Sequence, residues 1–322
     1  MNSIPTRSFV VGGAGFIGSH MVDALAERGP VTIYDNLSVG KLAWVQRHLD
    51  SGVARLVQAD ALDLERLAEE MKSHHLVVHL AANPEARWGL ERTRLDLEQG
   101  TIATYNVLEA MRRCDVPTII FSSSGTMYGE TEKTCAEGDL GNLPISLYGA
   151  SKFAGEALIS AFVECFRLTA HIYRFGNVVG PRGTHGAALD FLRKLKDKKT
   201  YLEVLGDGAQ SKPYLHVTDC VAGMLFGLDH AKDKLNIHNL APLDATSVDR
   251  IAKLCVAASP YPQAEIRYTG GDRGWPGDVP RSRMDPSKLA TLGFKVRYTS
   301  DEAVSRAVNA LAGEVFGDAA GG

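Results

Sequence analysis

The first half of the chain alternates short apolar runs with amphipathic stretches. The apolar runs lack regular polar alternation, which is typical of parallel strands covered on both faces. Five of these runs predict strands, at residues 8–13, 31–36, 55–60, 76–82 and 117–123. The stretches between them predict helices at 16–28, 64–72 and 93–113. This alternation predicts an α/β fold on a doubly wound parallel sheet.

The pattern changes at about residue 178. A predicted helix at 148–168 and a sixth predicted strand at 171–177 continue the alternation, and Gly, Pro and basic residues then cluster before a helix at 187–196. We therefore expect one domain at 1–178, with possible returns to the sheet at 217–228 and 235–240. A smaller mixed α/β part would cover 179–312, and 313–322 would form a disordered tail.

Composition excludes several classes of protein. The 322 residues are 45% hydrophobic and 23% charged, which is ordinary for a globular enzyme. A net charge of −3 gives no support for nucleic-acid binding, and no apolar run approaches the ~18 residues that span a bilayer. The first residues run directly into a strand, so we expect no signal peptide. The five cysteines lack metal-site or disulfide spacing, which predicts a cytoplasmic protein without a metal site.

A glycine-rich turn lies between the first predicted strand and helix. The run GGAGFIG places Gly12, Gly15 and Gly18 there, with the spacing G-x-x-G-x-x-G. Small residues at these positions permit a tight turn, close approach to a pyrophosphate and close packing of helix on strand. The turn therefore predicts a dinucleotide-binding, Rossmann-type domain.

Acidic residues end the next two predicted strands. Asp35 lies 23 residues after Gly12, where a carboxylate can bond both hydroxyls of an adenosine ribose and repel a 2′-phosphate. This favours NAD over NADP. Asp60 could face the adenine or simply cap its loop, and Ala81 and Ala82 could line the cofactor groove.

Tyr148 and Lys152 are the candidate catalytic pair. They lie four residues apart, so they share one face of the predicted helix, and Ser124 precedes them by 24 residues. A phenol beside an ammonium holds a proton donor and a proton acceptor together, because the nearby cation favours the phenolate.

The ordered set of motifs resembles one family of enzymes. The motifs are GGAGFIGSH, YDNLSVG, HLAANPE, FSSSGTMYG, YGASK, RFGNVVGPR, GDGAQSKPYLHV and GWPGDV, and they extend from residue 8 to about 295. Together they resemble the extended short-chain dehydrogenase/reductase family. Within that family they are similar to the nucleotide-sugar 4-epimerases of the UDP-galactose 4-epimerase type.

The resemblance implies a chemistry in which bound NAD is reduced and reoxidised within one cycle. Tyr148 would take the proton of the sugar 4-hydroxyl while C4 passes hydride to the nicotinamide. Lys152 would bind the nicotinamide ribose and hold Tyr148 towards phenolate. Ser124 and Thr126 would bond the 4-oxygen and shuttle the proton.

The resemblance also implies two sets of binding residues. The predicted NAD contacts are Gly12, Gly15, Phe16, Ile17, Gly18, Asp35, Asn36, Ser38, Gly40, Asp60, Ala61, Leu80, Ala81, Ala82, Ser122, Tyr148, Lys152 and Phe175. The predicted nucleotide-sugar contacts are Asn83, Arg87, Ser124, Thr126, Asn177, Ala187, Leu205, Gln210, Lys212, Tyr214, Arg273 and Asp278. Arg87 could instead be a solvated loop residue, and Lys212 stands where many members carry Arg.

Several functions stay open at this point. A UDP-hexose 4-epimerase of the UDP-glucose/UDP-galactose type is favoured, and UDP-glucuronate and UDP-N-acetylhexosamine 4-epimerases fit the same residues. A 4,6-dehydratase or a decarboxylase needs an extra acid near the catalytic serine, where this chain has Gly125 and Thr126. A non-catalytic NAD-binding redox sensor could dispense with the Tyr148/Lys152 pair, which this chain keeps.

Two predicted helices could form a contact between copies of the chain. Helices 93–113 and 148–168 carry apolar stripes, whose members include Tyr105, Leu108, Met111, Leu158, Phe162 and Cys165. The resemblance implies a homodimer through a four-helix contact. Part of each stripe must also serve ordinary core packing.

Overall fold

The computed structural model describes residues 6–139 and 142–317. Its strands are β1 Ser8–Val11, β2 Val31–Asp35, β3 Ala54–Gln58, β4 Leu76–His79, β5 Thr118–Ser124, β6 Thr169–Phe175, β7 Asn177–Val179, β8 Tyr201–Val204, β9 Ser211–Lys212, β10 Tyr214–His216, β11 Leu235–Leu240, β12 Thr246–Ser247 and β13 Glu265–Tyr268. Its helices are α1 Phe16–Leu25, α2 Gln46–Asp50, α3 Leu64–Met71, α4 Trp88–Glu91, α5 Arg94–Asp96, α6 Ala103–Arg113, α7 Leu147–Phe166, α8 Ala187–Lys198, α9 Val217–His230, α10 Val248–Ala258, α11 Ser287–Thr291 and α12 Ser300–Phe316. None of the helices in these ranges combines the length and hydropathy that crossing a membrane requires.

A seven-stranded parallel sheet carries the fold, in the order β11-β6-β5-β4-β1-β2-β3. This confirms the predicted doubly wound sheet. β1 lies between β2 and β4, so the strand order reverses there, and the carboxyl ends of β1 and β4 border the crevice where such sheets bind ligands. Of the two predicted returns, 235–240 joins the sheet as β11, whereas 217–228 lies within helix α9.

Burial explains the pattern of the apolar runs. Every residue of β1 and of β4 is buried, as expected for strands with helices on both faces. β3 stands at the edge of the sheet and mixes buried with exposed positions. Helices α3 and α6 complete this core with fully buried side chains, including Leu67 and Leu108.

The predicted single helix at 93–113 is wrong in one respect. The segment Leu97–Ile102 is π-helical, and it joins α5 to α6. Gly100 lies within it, and a Cβ at Gly100 would collide with the Ser151 side chain on α7. The close approach to α7 therefore requires glycine here, at a kind of helix irregularity that is frequent near functional sites.

The chain divides into two compact units that do not follow each other in sequence. The first holds the described residues up to Met127, with Leu147–Arg174 and Met224–His238. The second holds Tyr128–Ser146, Phe175–Gly223 and the described residues from Asn239 onward. The predicted boundary at 178 differs from this division, because segment 128–146 bonds to later residues. Asn239 accepts from the Tyr128 hydroxyl at 2.7 Å and donates to the Cys135 carbonyl at 2.9 Å.

The second unit is a mixed α/β body. Short strand pairs, β8–β13 and β7–β10 in parallel and β9–β12 antiparallel, pack with α8, α10 and α12 around a separate apolar core. A capping box between Thr299 and Glu302 starts α12, which continues to Phe316. Residues 313–316 of the predicted disordered tail are therefore helical, and residues 318–322 lie outside the described residues.

Candidate active site

The glycine turn joins β1 to α1 in a shape that only glycine permits. Gly12 has a φ of +80°, and a Cβ there would lie 2.7 Å from the Ala81 nitrogen. A Cβ at Gly18 would collide with the Gly12 carbonyl oxygen, so α1 can pack closely on the turn. Gly15 is the N-cap of α1 and has no side chain to cover the first amides of the helix. These amides fit the pyrophosphate of a dinucleotide.

Asp35 is fixed beside that turn at the end of β2. Its carboxylate is buried and accepts from the Ala14 nitrogen at 2.9 Å and from the Leu37 nitrogen at 2.8 Å. Burial raises the pKa of Asp35, and the two backbone hydrogen bonds oppose that shift. A Cβ at Gly40 would lie 3.0 Å from the carboxylate oxygen, so the following loop also closes on Asp35. This placement fits the ribose hydroxyls of NAD.

Asp60 links the ends of β2 and β3. One carboxylate oxygen accepts from the Leu62 nitrogen at 2.9 Å, and the other accepts from the Asn36 amide at 2.8 Å. The loop-capping interpretation therefore holds, and Asp60 also fixes Asn36, another predicted NAD contact. Asn36 in turn accepts from the Ser38 nitrogen at 3.0 Å.

The remaining predicted NAD residues fall at the same strand ends, with one exception. Leu80 and Ala81 follow β4, and their amides donate to the Val11 carbonyl at 2.9 and 3.0 Å. Ala82 comes next along the chain, Ser122 lies within β5, Ala61 follows β3, and Phe16 and Ile17 open α1. Phe175 ends β6 and belongs to the second unit.

Tyr148 and Lys152 lie on one face at the start of α7. The Lys152 side chain is buried, donates to the Ser122 carbonyl at 2.7 Å and stands 5.7 Å from the centre of the Tyr148 ring. Burial lowers the pKa of Lys152 to about 8, while the Asp96 and Glu156 carboxylates oppose that shift. Lys152 is therefore mostly protonated at neutral pH.

The pKa of Tyr148 is shifted away from the phenolate form that the sequence predicts. Burial, followed by the charge of Asp96, raises the pKa of Tyr148 to about 12, and a hydrogen bond with Ser124 lowers it only in part. The direction of this shift is opposite to the one predicted from the neighbouring Lys152, and burial of the phenol is its largest cause. Tyr148 is held as a phenol.

A chain of hydroxyl groups continues from Tyr148. The Thr126 hydroxyl donates to the Ser124 hydroxyl at 2.9 Å, and the Thr126 amide lies 3.2 Å from the same oxygen. Ser124 also bonds Tyr148. Three hydroxyls therefore connect from the end of β5 to α7, which suits proton transfer to and from a substrate oxygen.

A buried ion pair close to these hydroxyl groups was not predicted from the sequence. Glu156 lies one helical turn beyond Lys152, and both of its oxygens bond Arg174 of β6, at 2.7 and 2.9 Å. The Ser123 hydroxyl donates to the same carboxylate at 2.5 Å. The spacing of Tyr148, Lys152 and Glu156 was a usable signal, since each is four residues from the next.

Asn83 and Arg87, predicted to contact substrate, are held by acidic neighbours. Asn83 is 3% exposed, donates to Asp96 at 3.0 Å and accepts from the Glu85 nitrogen at 3.1 Å. Its side chain is therefore buried and bonded within the first unit, and the substrate contact stays a prediction. Arg87 bonds the Glu85 carboxylate through two nitrogens, at 2.9 and 3.0 Å. Asp96 was also missed, because nothing in its sequence context marks it as buried.

The predicted nucleotide-sugar residues of the second unit form pairs with each other. Lys212 and Asp278 join at 2.6 Å, and Asp278 also accepts from the Gly274 nitrogen at 3.2 Å. Asn177 hydrogen-bonds the Tyr214 hydroxyl, and burial raises the pKa of that phenol. The positive charge of Lys212 is therefore balanced by Asp278, another of the predicted nucleotide-sugar contacts.

The other four predicted contacts differ in exposure. Gln210 is 3% exposed, and neither polar atom of its amide has a partner among the residues described. Arg273 lies near Glu130 and Asp272, at 3.3 and 3.2 Å. Leu205 follows β8, and Ala187 is the first residue of α8. Within residues 6–139 and 142–317, no group of His, Cys, Asp and Glu side chains could hold a metal ion.

Comparison with known proteins agrees with the resemblance. Residues 8–241 match the NAD dependent epimerase/dehydratase family. A putative UDP-glucose 4-epimerase of Methanocaldococcus jannaschii is 32% identical, with 93% of this chain and 96% of that protein covered. A crystal structure of a UDP-galactose 4-epimerase is 35% identical with a TM-score of 0.86, and 96% of this chain and 99% of that chain are covered.

The cofactor is supported by a second solved structure. A UDP-glucose 4-epimerase of Thermus thermophilus in complex with NAD is 28% identical with a TM-score of 0.85, covering 96% of this chain and 99% of that chain. The glycine turn and Asp35 described above fit the same cofactor. The chain belongs to the NAD dependent epimerase/dehydratase family and is an NAD-dependent enzyme.

Proposed function

We propose that the protein is a nucleotide-sugar 4-epimerase whose substrate is a UDP-hexose of the UDP-glucose/UDP-galactose type. The observation that carries this proposal is the hydroxyl chain of Tyr148, Ser124 and Thr126 beside the buried ammonium of Lys152. Gly125 and Thr126 bring no carboxylate to this position, and elimination or decarboxylation needs one. The names of the related proteins, UDP-glucose and UDP-galactose 4-epimerases, support the same substrate class.

Each of these side chains has its own role in the proposed reaction. Bound NAD would supply reversible hydride transfer at the sugar C4. In its phenolate form Tyr148 would take the proton of the sugar 4-hydroxyl, which makes it a phenol, and it would return that proton to the 4-oxygen when the hydride returns to C4. Ser124 and Thr126 hold the 4-oxygen, and Lys152 provides the positive charge that favours proton loss from the phenol. A raised pKa makes the Tyr148 phenolate a strong base and the phenol a weak acid, which suits removal of the proton from the sugar hydroxyl.

The nucleotide would be bound by the second unit. We propose that Lys212 exchanges Asp278 for the substrate diphosphate, and that the released Asp278 accepts from ribose hydroxyls. The amide of Gln210 and the Asn177–Tyr214 pair are the proposed polar contacts of the nucleotide sugar. Arg87 is already satisfied by Glu85 in a two-point contact, so a uronate carboxylate would have to displace that partner.

A panel of substrates tests the proposal. Purified protein is incubated separately with UDP-, dTDP-, CDP- and GDP-hexoses, and the products are resolved by chromatography. We expect UDP-glucose and UDP-galactose to interconvert to a common equilibrium from either side. A 4-keto-6-deoxy product, loss of CO₂ from a uronate, or no reaction with any hexose would refute it. The Tyr148→Phe variant is the control for contaminating epimerase.

We also propose that the protein is a homodimer in the cytoplasm. Leu108 and Met111 of the predicted stripe are fully buried in the core, but Tyr105 and Phe166 are 44% and 46% exposed. Both contact Phe162, Tyr105 edge-on with the ring centres 6.3 Å apart and Phe166 at a tilt with the ring centres 5.0 Å apart. A second copy would cover this aromatic surface of α6 and α7. All five cysteines are free thiols, which supports a reducing compartment.

Light scattering tests the dimer. We expect the wild-type mass to be twice that of the chain, and Tyr105→Glu to halve it. Leu143→Glu, at a residue that is 75% exposed and outside both helices, is the matched control and should leave the mass unchanged. A wild-type protein of single-chain mass at micromolar concentration would contradict the proposal.

A further inference from the structure

Asp96 is a buried carboxylate that the mechanism above does not use. It ends α5 directly before the π-helical segment and is 1% exposed. One carboxylate oxygen accepts from the Asn83 amide at 3.0 Å. The other is fully buried and has no hydrogen-bond partner among the residues that the structure describes. Leaving a buried carboxylate oxygen unbonded is costly, so some compensating interaction must retain this residue.

The backbone around Asp96 is shaped to hold this oxygen in place. Gly89 of α4 lies against it, and a Cβ at Gly89 would collide with the unbonded carboxylate oxygen. Asn83 is fixed in turn by the Glu85 amide at 3.1 Å. Three segments of the first unit therefore meet at one buried side chain.

Gly89, against which Asp96 lies, also approaches Leu147, the first residue of α7 and the neighbour of Tyr148. Burial raises the pKa of Asp96, and the Asn83 hydrogen bond and the positive charge of Lys152 oppose that shift. Lys152 is buried and donates to the Ser122 carbonyl, which is neutral, so that hydrogen bond does not balance its charge. The charged or titratable groups that act on Lys152 and Tyr148 are Asp96, Glu156 and His79. Glu156 is already bonded to Arg174, and His79 is a neutral imidazole because burial lowers its pKa to about 3. Asp96 is thus the carboxylate in this group whose charge is not matched by a cation of its own.

We propose that Asp96 is a positioning residue whose buried carboxylate is the counter-charge that keeps Lys152 protonated beside Tyr148. This inference rests on the proposed function for its catalytic meaning. The unbonded oxygen then has an electrostatic partner instead of a hydrogen-bonding one. The same negative charge keeps Tyr148 in its phenol form, and so the carboxylate stabilises the resting protonation state of both members of the pair.

The protonation of Lys152 can be measured without turnover. Protein as purified, labelled with ¹³C at the lysine Cε, is titrated by NMR, and the Lys152 signal is identified by its absence in Lys152→Met. In Asp96→Asn we expect the midpoint of Lys152 to fall by about one pH unit, because an opposite charge nearby is lost. The high-pH limb of kcat should move to lower pH by the same amount.

Glu91→Gln is the matched control, since it neutralises an exposed carboxylate of the neighbouring helix α4. It should leave the Lys152 midpoint unchanged, whereas a purely structural loss in Asp96→Asn would lower activity without moving the midpoint. If Asp96→Asn does not fold, Asn83→Ala replaces it. That variant removes the hydrogen bond that favours the charged form of Asp96, so the midpoint should fall by a smaller amount.

An unchanged Lys152 midpoint in whichever of the two variants is measured, or an equal shift in Glu91→Gln, overturns the Asp96 proposal. Failure of the proposed function gives a different result. Wild-type protein would then epimerise no nucleotide sugar, while the Lys152 midpoint would still respond to Asp96→Asn.

Discussion

Removing one partner of the buried Glu156–Arg174 pair should destabilise the first unit strongly. Glu156→Gln keeps the size of the side chain but removes the carboxylate that bonds the Arg174 guanidinium, which is 2% exposed. The substitution removes the negative charge from both nitrogen–oxygen contacts, which measure 2.7 and 2.9 Å. Breaking a buried pair in this way costs about 3–5 kcal/mol of unfolding free energy, because the buried Arg174 charge loses its bonded carboxylate. For a chain of this size the melting temperature should fall by on the order of 10 °C.

The assay is thermal unfolding followed by circular dichroism, with a double-mutant cycle. Arg174→Met alone should be similarly destabilising, since it leaves Glu156 unpaired. The double variant should recover much of the loss, because neither charge is then buried. Arg250→Met is the control, as Arg250 and Asp301 form the same two-point contact on the surface, with half of the Arg250 side chain exposed. Its melting temperature should stay close to that of wild type. Losses that simply add in the double variant would refute the reasoning.

Three further predictions concern the cofactor and the proton transfer. Tyr148→Phe should lower kcat by about 10²–10⁴-fold while bound NAD, measured by release on denaturation, stays at the wild-type level. Activity should fall as pH rises through about 8, since burial lowers the pKa of Lys152 to that value and the ammonium is lost above it; a plateau from pH 7 to 10 in stopped assays would contradict this. Asp35→Asn should weaken NAD binding and reduce the preference over NADP, because the repulsion of a 2′-phosphate is lost, and calorimetric titration with both cofactors measures this.

The glycine turn and the parallel strands could be predicted because their signals are local. Gly12 needs a positive φ, and β1 needs a continuous apolar run, and both requirements are visible in the few residues concerned. The location of segment 128–146 could not, because it depends on the contact of Tyr128 with Asn239, more than 100 residues away. No local sequence pattern indicates a contact between two residues so far apart in the chain.

The protonation states of the site residues could be predicted from the sequence less well than their positions in the fold. The spacing of Tyr148 and Lys152 correctly indicated a shared helix face, but their pKa values depend on burial and on Asp96. The π-helical segment shifts the phase of the helix after Asp96, so a regular period of 3.6 could not indicate which side chains turn inward. The Lys212–Asp278 pair joins two predicted nucleotide-sugar contacts that lie 66 residues apart in the chain, so no local pattern indicated it.

The position of β11 has a consequence for how the chain is made. Within the sheet β11 covers the outer side of β6, yet it comes from residues 235–240, after the whole of the second unit's segment Phe175–Gly223 has been translated. Until those residues leave the ribosome, β6 is an uncovered edge strand, and most of its residues are apolar or aromatic. The glycine turn, Asp35 and the catalytic pair are therefore synthesised well before the sheet that carries them can close. A nascent chain halted between residues 175 and 234 presents a strand edge that invites pairing with another chain.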